Sequence, residues 1–304
     1  MGVWSYLSQG LYVDLATHSL TDERHLPLRN WQSLQPDRAT RLTDGRLQFH
    51  YAAQFATGGA ISFLPPQPDD SHTNLEWVPE FQALFSRLIP GRKPFRLGAR
   101  PADLALLVLP EPHSTIAECK LNRCTIDDAL EWVRSQVALQ GAAAERYSLR
   151  RHYEIPSHSV ARGGAFDATD KSSFDELSRW FANGASVLSE LAEIQGAGDV
   201  RCWPHHFDIG MLIQLSPDRS VGVGLEPGDD YYGEPYFYVN MTPQPTEASV
   251  SSSPLAGNGS WHTRDWIGAV LPGSRLGAPP TQEAQVRAFL NSAVAAARKL
   301  VAAG

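Results

Sequence analysis

Apolar residues recur at helical spacing in four stretches of the chain. In the first of these stretches, Gly58-Gly59 predicts the C-terminal stop of the helix. Thr125-Ile-Asp-Asp128 and Ser173-Phe-Asp-Glu176 are typical of capped helix starts, because a carboxylate three residues after the cap can reach back to its amide. The pattern therefore predicts four long helices, over residues 36–60, 126–145, 173–195 and 280–300.

Short apolar segments bounded by proline and glycine lie between these helices. Turn signals at Pro79, Pro90-Gly91 and Pro110 separate consecutive segments without an intervening helix. This arrangement favours antiparallel strands over βαβ units, which need a helix between each pair of strands. The predicted strands are residues 74–78, 81–89, 104–109, 115–119, 207–215, 221–225, 236–241 and 266–271. The fold class expected is α+β, with antiparallel sheets covered by three or four helices.

The order helix, strands, helix occurs twice, which is compatible with two similar halves. We predict an extended lead-in over residues 1–30, an N-terminal α+β half over 31–150 and a C-terminal α+β half over 173–304. Residues 151–172 are rich in glycine and serine and have no apolar period, so they are expected to form a linker or crossover.

Composition and charge exclude several classes of protein. The chain has 304 residues, 42% hydrophobic and 10% aromatic, which is too much core material for a disordered protein. The net charge of -7 argues against nucleic-acid binding. Apolar runs such as residues 104–109 have about six residues, whereas a membrane-spanning helix needs about 20. The amino terminus lacks the pattern of a signal peptide, and three cysteines cannot all pair. We therefore expect a cytoplasmic protein that binds neither nucleic acid nor membranes.

The segment Cys202-Trp-Pro-His-His-Phe-Asp208 concentrates residues that can hold a divalent metal. Imidazole and carboxylate groups bind zinc, iron or manganese, so His205, His206 and Asp208 are the candidate ligands. On an extended strand, His206 and Asp208 would share one face. Glu226 and Glu234 follow on a nearby loop, as candidates for a general base. This interpretation predicts a metal-dependent hydrolase that acts on a small molecule.

A second interpretation needs no metal. Both histidines can be structural groups that hydrogen-bond to the backbone. The tyrosine-rich segment 231–238 could then line a site for a small-molecule ligand or for another protein. The sequence leaves the choice between a metal-dependent enzyme and a metal-free binding module open.

Four short motifs together resemble a family of bacterial proteins known only as a domain of unknown function. The motifs are Trp203-Pro-His-His-Phe-Asp208, Val223-Gly-Leu-Glu-Pro-Gly-Asp229, Glu234-Pro-Tyr-Phe-Tyr-Val239 and Gly268-Ala-Val-Leu-Pro272. The likeness extends from about Trp31 to the end of the chain. It implies a bacterial cytoplasmic protein without an assigned reaction. In that family small residues often precede the Phe-Asp pair, where this chain has two histidines, so the resemblance does not imply a histidine metal site.

Overall fold

A computed structural model describes residues 31–111, 117–193 and 196–303. The predicted lead-in, residues 1–30, lies outside the described residues. Trp31–Gly304 forms one compact unit, so the two predicted halves belong to a single body. In the described part of the chain, no helix is both long and apolar enough to span a membrane.

The strands occur in two groups along the chain, one between the first two long helices and one between the last two. The helices are α1 (Thr43–Phe63), α2 (Ile126–Leu139), α3 (Lys171–Leu191), α4 (Glu247–Ser251) and α5 (Pro279–Ala303). The first strands are β1 (Glu76–Val78), β2 (Ala83–Phe85), β3 (Phe95–Arg100), β4 (Ala105–Pro110) and β5 (Ala117–Lys120). The others are β6 (Arg201–Cys202), β7 (Ile209–Ser216), β8 (Arg219–Glu226), β9 (Tyr236–Thr242), β10 (Ser260–His262) and β11 (Gly268–Pro272).

These strands form two antiparallel sheets. The five-stranded sheet follows chain order from β1 to β5, and the six-stranded sheet has the order β10-β11-β9-β8-β7-β6. Leu75 and Cys202 exchange two backbone hydrogen bonds, of 2.9 and 2.8 Å, which connect the β1 edge of one sheet to the β6 edge of the other. The predicted α+β class, with antiparallel sheets covered by helices, is therefore confirmed.

The long helices cover the sheets and share one core. α1 packs on β3, whereas α3 and α5 cover one face of the six-stranded sheet. Phe49 of α1, Phe181 of α3 and Phe207 of the loop before β7 contact one another at ring-centroid distances of 5.4–5.5 Å. All three rings are buried. These contacts fix the loop before β7 against two helices.

The largest errors of the sequence pattern concern strands. β3 was not predicted, although Phe95-Arg-Leu-Gly-Ala-Arg100 alternates apolar residues with arginine and glycine, which is the pattern of a half-buried strand. In the sheet, β3 lies between β2 and β4, and its arginines make ion pairs at the sheet surface. β10 has three residues and was also missed, since no pattern can be read over so short a segment.

Helix ends follow local contacts. The predicted capping box of α2 is confirmed: Asp128 N–H donates to Thr125 Oγ1 at 3.2 Å and Thr125 N–H donates to the Asp128 carboxylate at 2.8 Å. α2 ends at Leu139, earlier than predicted, because Gly141 has a φ of 77°. α3 starts before the predicted box: Asp170 accepts from Ser173 N–H, and Glu176 is buried.

Residues 151–172 are a crossover fastened to the core. Tyr153 Oη donates to Gln54 Oε1 at 2.8 Å. Phe166 is buried, and its backbone N–H donates to Cys124 O at 2.8 Å. The segment therefore runs along α1 from the region after α2 to the start of α3, although its composition is that of a linker.

Gly58 and Gly59 lie inside α1, which continues to Phe63, so the predicted stop is wrong. A Cβ on Gly58 would be 2.9 Å from Ser148 O, and one on Gly59 would be 2.6 Å from Ile89 Cδ1. The two glycines allow close packing of α1 on its neighbours, which offsets their low helix propensity.

We expect Gly58→Ala to destabilise the protein by about 1–3 kcal/mol, because its Cβ would press on a backbone carbonyl. Gly45→Ala in the same helix is the matched control. Its Cβ would meet only ordinary contacts at 3.7 Å, so the gain in helix propensity of about 0.5–1 kcal/mol should prevail. Urea unfolding measures both values, and equal effects of the two substitutions would contradict the packing role of Gly58.

Candidate functional site

The loop Trp203–Asp208 closes the hairpin of β6 and β7. Trp203 N–H donates to Asp208 O at 2.9 Å, and Phe207 N–H donates to Trp203 O at 2.6 Å. Phe207 has a φ of 73°, in the left-handed region that residues with side chains rarely adopt. The extended strand predicted through His206 and Asp208 is therefore wrong, because the loop turns tightly and β7 begins only at Ile209.

The loop rests on a buried histidine that sequence reasoning did not single out. The His50 ring stacks on Phe207, with centroids 4.3 Å apart and planes 7° apart. His50 Nε2 lies 2.8 Å from Pro204 O, and Gln54 Nε2 donates to the same oxygen at 3.1 Å. Burial lowers the pKa of His50 to about 3, so the ring is neutral at pH 7. Its Nε2–H group donates a hydrogen bond to Pro204 O.

The two histidines predicted as metal ligands lie on the rim of this loop. The His205 ring is half-buried, 4.4 Å from the His206 ring and 5.7 Å from the Tyr153 ring. Burial, with a smaller contribution from His206, lowers the pKa of His205. His206 is exposed. No three His, Cys, Asp or Glu side chains of residues 31–111, 117–193 and 196–303 are grouped so that they could hold one metal ion. The predicted metal site of His205, His206 and Asp208 therefore has no support.

Asp208 instead faces a second carboxyl group. Ile209 pairs with Leu225 across β7 and β8, so the next position places Asp208 opposite Glu226. Glu226 in turn pairs with Tyr236 of β9. Directly opposite residues of antiparallel strands have Cβ atoms about 4.5–5.5 Å apart and point to the same face. Asp208, Glu226 and Tyr236 thus form one row, on the face opposite to that covered by α3 and α5, which we term the outer face.

The next row of the outer face makes room for a tyrosine. Gly210 pairs with Gly224, and Gly224 pairs with Tyr238. A Cβ on Gly224 would lie 2.5 Å from the Tyr238 ring, and one on Gly210 would lie 2.9 Å from its hydroxyl. Tyr238 therefore lies across two glycines, and its hydroxyl donates to Asp208 Oδ2.

Asp229 joins these groups from the loop after β8. Its Oδ1 accepts from the backbone N–H groups of Tyr231 and Tyr232, at 2.9 and 2.8 Å. Its Oδ2 accepts from Tyr236 Oη at 2.7 Å. We term Asp208, Glu226 and Asp229 the carboxyl cluster.

Burial and mutual repulsion dominate the electrostatics of the carboxyl cluster. Glu226 is 7% exposed, and burial together with Asp208 and Asp229 raises its pKa well above the ordinary value. Burial also raises the pKa of Asp208, an effect opposed by the Tyr238 hydrogen bond and by His206. Arg46 of α1 attracts Glu226 and Asp229, and its own pKa is lowered by burial. Burial therefore favours the protonated form of Glu226.

Glu234, the second candidate general base, is engaged elsewhere. Its Oε2 accepts from Ser274 N–H at 2.6 Å and its Oε1 accepts from Ser274 Oγ at 2.8 Å. These bonds fasten the loop before β9 to the turn after β11. Of the two predicted catalytic carboxyls, the structure brings only Glu226 next to Asp208.

We expect Glu226→Gln to change the pH dependence of stability. A carboxyl whose pKa is raised by folding contributes stability below its unfolded pKa, near 4.5, and this contribution is lost as pH rises toward the folded pKa. The glutamine cannot ionise, so the stability of the variant relative to the parent should increase between pH 4.5 and pH 8. The expected gain in Tm is about 2 °C or more, the effect of roughly 1 kcal/mol. Calorimetric melting measures it.

The control is Glu131→Gln, at an exposed position of α2. Its Tm difference from the parent should stay constant over the same pH range. A constant difference for Glu226→Gln as well would contradict the raised pKa of Glu226.

Comparisons with protein-family models, with curated proteins and with solved structures found no match to this chain. The resemblance to a bacterial family therefore stays a prediction, and the functional argument rests on the geometry of the carboxyl cluster.

Proposed function

We propose that the carboxyl cluster binds a small organic cation, an alkylammonium or alkylguanidinium group. One observation carries this proposal. Asp208 Oδ1 and Glu226 Oε1 are buried and have no hydrogen-bond partner in the part of the chain that the structure describes. Buried polar atoms are nearly always satisfied, and each exception calls for an explanation. A bound N–H donor with a positive charge would satisfy both oxygens.

The charges around the cluster support the same ligand class. Among the described residues, no lysine or arginine lies within 4 Å of Asp208, Glu226 or Asp229. The nearest cation acting on them, Arg46, contributes only at longer range. Buried carboxylates are usually paired with a cation, since an unpaired buried charge is costly. The cluster therefore lacks the partner that a structural ion pair would have.

Tyrosine rings surround the carboxyl groups and would hold the rest of the ligand. The Tyr232 and Tyr236 rings have centroids 4.7 Å apart, and Tyr236 and Tyr238 have centroids 6.4 Å apart. Tyr231 is 42% exposed at the edge of this group. Aromatic faces attract organic cations, and burial strengthens this attraction. The tyrosine-rich segment thus acts together with the carboxyl cluster in a metal-free binding function.

Binding of a cation would be linked to the proton on Glu226. Burial raises the pKa of this carboxyl and favours its protonated form, whereas a positive charge beside it favours the ionised form. Binding therefore releases a proton, and affinity should rise with pH by up to tenfold per unit while Glu226 titrates. Glu226→Gln removes this dependence.

Calorimetric titration with agmatine and putrescine, in buffer containing EDTA, tests the proposal. We expect saturable binding to the parent protein and at least about tenfold weaker binding to Asp208→Asn, which keeps the shape but removes one charge. Asp218→Asn is the matched control, because Asp218 is an exposed aspartate at the opposite end of the β7–β8 hairpin. It should bind like the parent.

Three results would contradict the proposal. The first is the absence of binding of both amines between pH 6 and pH 9. The second is equal weakening by Asp208→Asn and Asp218→Asn, which would indicate only a general effect of net charge. The third is binding that requires added zinc or manganese, which would favour the metal-dependent interpretation of the sequence.

A further inference from the structure

A second cluster of charged side chains lies where the two sheets meet. The backbone pair of Leu75 and Cys202 joins the sheet edges. Glu76 and Arg201, one residue to the side of this pair on each strand, face a cavity of about 130 Å³. We term this cavity the junction pocket. Its lining consists of Glu76, Ser86, Arg87, Leu88, Arg96 and Arg201.

The lining of the junction pocket carries three arginines and one glutamate, and Glu111 and Asp199 pair with two of these arginines from outside it. Glu76 Oε2 accepts from Arg96 Nη1 at 2.9 Å and lies 3.2 Å from Arg201 Nη1, so one carboxylate oxygen serves two guanidinium groups. Arg201 Nη2 also contacts Asp199, whose side chain is 74% exposed. Solvent screens that pair, which therefore offsets little of the positive charge.

Two guanidinium N–H donors of the lining have no acceptor among the described residues. Arg96 Nε and Arg201 Nε are buried without a hydrogen-bond partner among residues 31–111, 117–193 and 196–303. Arg96 Nε lies 3.8 Å from Glu111 Oε1, beyond hydrogen-bond distance. Arg87 is exposed, donates from Nε to Ser71 O at 2.8 Å and makes no ion pair within 4 Å in the described chain. The pocket thus presents donors from three guanidinium groups to one small space.

A larger cleft of about 310 Å³ adjoins the pocket and shares Glu76 and Arg201 with it. It lies between the C-terminal part of α3 and the segment before β6. Its other lining residues are mostly small or uncharged: Trp77, Ala185, Ser189, Ala192, Ala197, Gly198, Asp199 and Val200. The cleft offers space for an uncharged body attached to the group in the pocket.

We propose that the junction pocket binds the phosphate group of a phosphate monoester, whose organic part occupies the adjoining cleft. A phosphate ester carries a charge of about −1.5 to −2 at pH 7 and three acceptor oxygens. This charge is opposite to that of the three arginines in the lining, and the three oxygens match the three guanidinium groups better than a carboxylate would. Arginine also binds phosphate through two parallel hydrogen bonds. This site is separate from the carboxyl cluster and does not depend on it.

Calorimetric titration with phenyl phosphate, in phosphate-free buffer of low ionic strength at pH 7.5, tests the proposal. We expect saturable binding to the parent protein and at least about tenfold weaker binding to Arg87→Gln. Arg87 is the safest position to change, because it is exposed and makes no ion pair that supports the fold. Arg92→Gln, at an exposed arginine outside the pocket, is the matched control and should bind like the parent.

Two further ligands identify the recognised groups. Benzoate should bind at least about tenfold more weakly than phenyl phosphate if the phosphate group is recognised. Inorganic phosphate should bind more weakly than phenyl phosphate if the cleft holds the ring. Binding of agmatine should be unchanged in Arg87→Gln, which separates this site from the carboxyl cluster.

The proposal is overturned by any of three outcomes: no binding of phenyl phosphate up to about 5 mM, equal weakening by Arg87→Gln and Arg92→Gln, or benzoate binding as tightly as phenyl phosphate. The first would leave the arginines as a support of the sheet junction only. The second would indicate attraction by net charge alone.

Discussion

The packing of Phe207 between Phe49 and Phe181 is the interaction on which the geometry of the candidate site depends. These three rings come from the hairpin loop, α1 and α3, and each is at most 1% exposed. Phe207 holds a left-handed backbone conformation, which costs on the order of 1–3 kcal/mol for a residue with a side chain. Burying a phenylalanine side chain contributes about as much or more. The core therefore stabilises the turn that brings Asp208 opposite Glu226.

Two glycines leave space for a tyrosine side chain on the outer face of the six-stranded sheet. Tyr238 can reach Asp208 only because Gly210 and Gly224 leave the sheet surface bare beneath it. A glycine in a strand lowers β propensity and loses packing, so its use at two adjoining positions has a cost. The cost is offset by the packing of the half-buried Tyr238 ring over the two glycines and by its hydrogen bond to a carboxylate. The same reasoning applies to Gly58 and Gly59 in α1, where close packing of neighbouring segments offsets the low helix propensity of glycine.

The sequence predicts the long helices, most strands and the α+β class, because these depend on apolar periodicity that is read locally. β3 was not predicted, although its alternation of apolar residues with arginine is a local strand signal. The continuation of α1 through two glycines was not predicted because it depends on contacts with distant segments. For the candidate site, Asp208 and Glu226 could be identified from their position next to apolar strands. Their pairing depends on strand register, which the sequence leaves open. Tyr238 reaches Asp208 through that register, whereas Arg46 belongs to α1 and acts on the site through the position of that helix. Adjacent histidines are a local signal for a metal site, so the sequence predicts His205 and His206 as ligands. The tight turn of the loop instead places both rings at its rim.

Strand pairing places charged residues side by side at two points, with opposite results. Next to the Leu75–Cys202 pair, it brings Glu76 toward Arg201, and the opposite charges meet at 3.2 Å. At the end of β8, it brings Asp208 toward Glu226, and burial together with the neighbouring Asp208 raises the pKa of Glu226. A purely structural contact would gain from apolar or oppositely charged residues at this position, since like charges opposite each other destabilise a sheet. Positions that break such a local rule without a compensating contact are those at which a fold carries function. This carboxyl pair is therefore the stronger indication of a ligand, because in the described part of the chain Arg46 acts on it only at longer range and no cation contacts it.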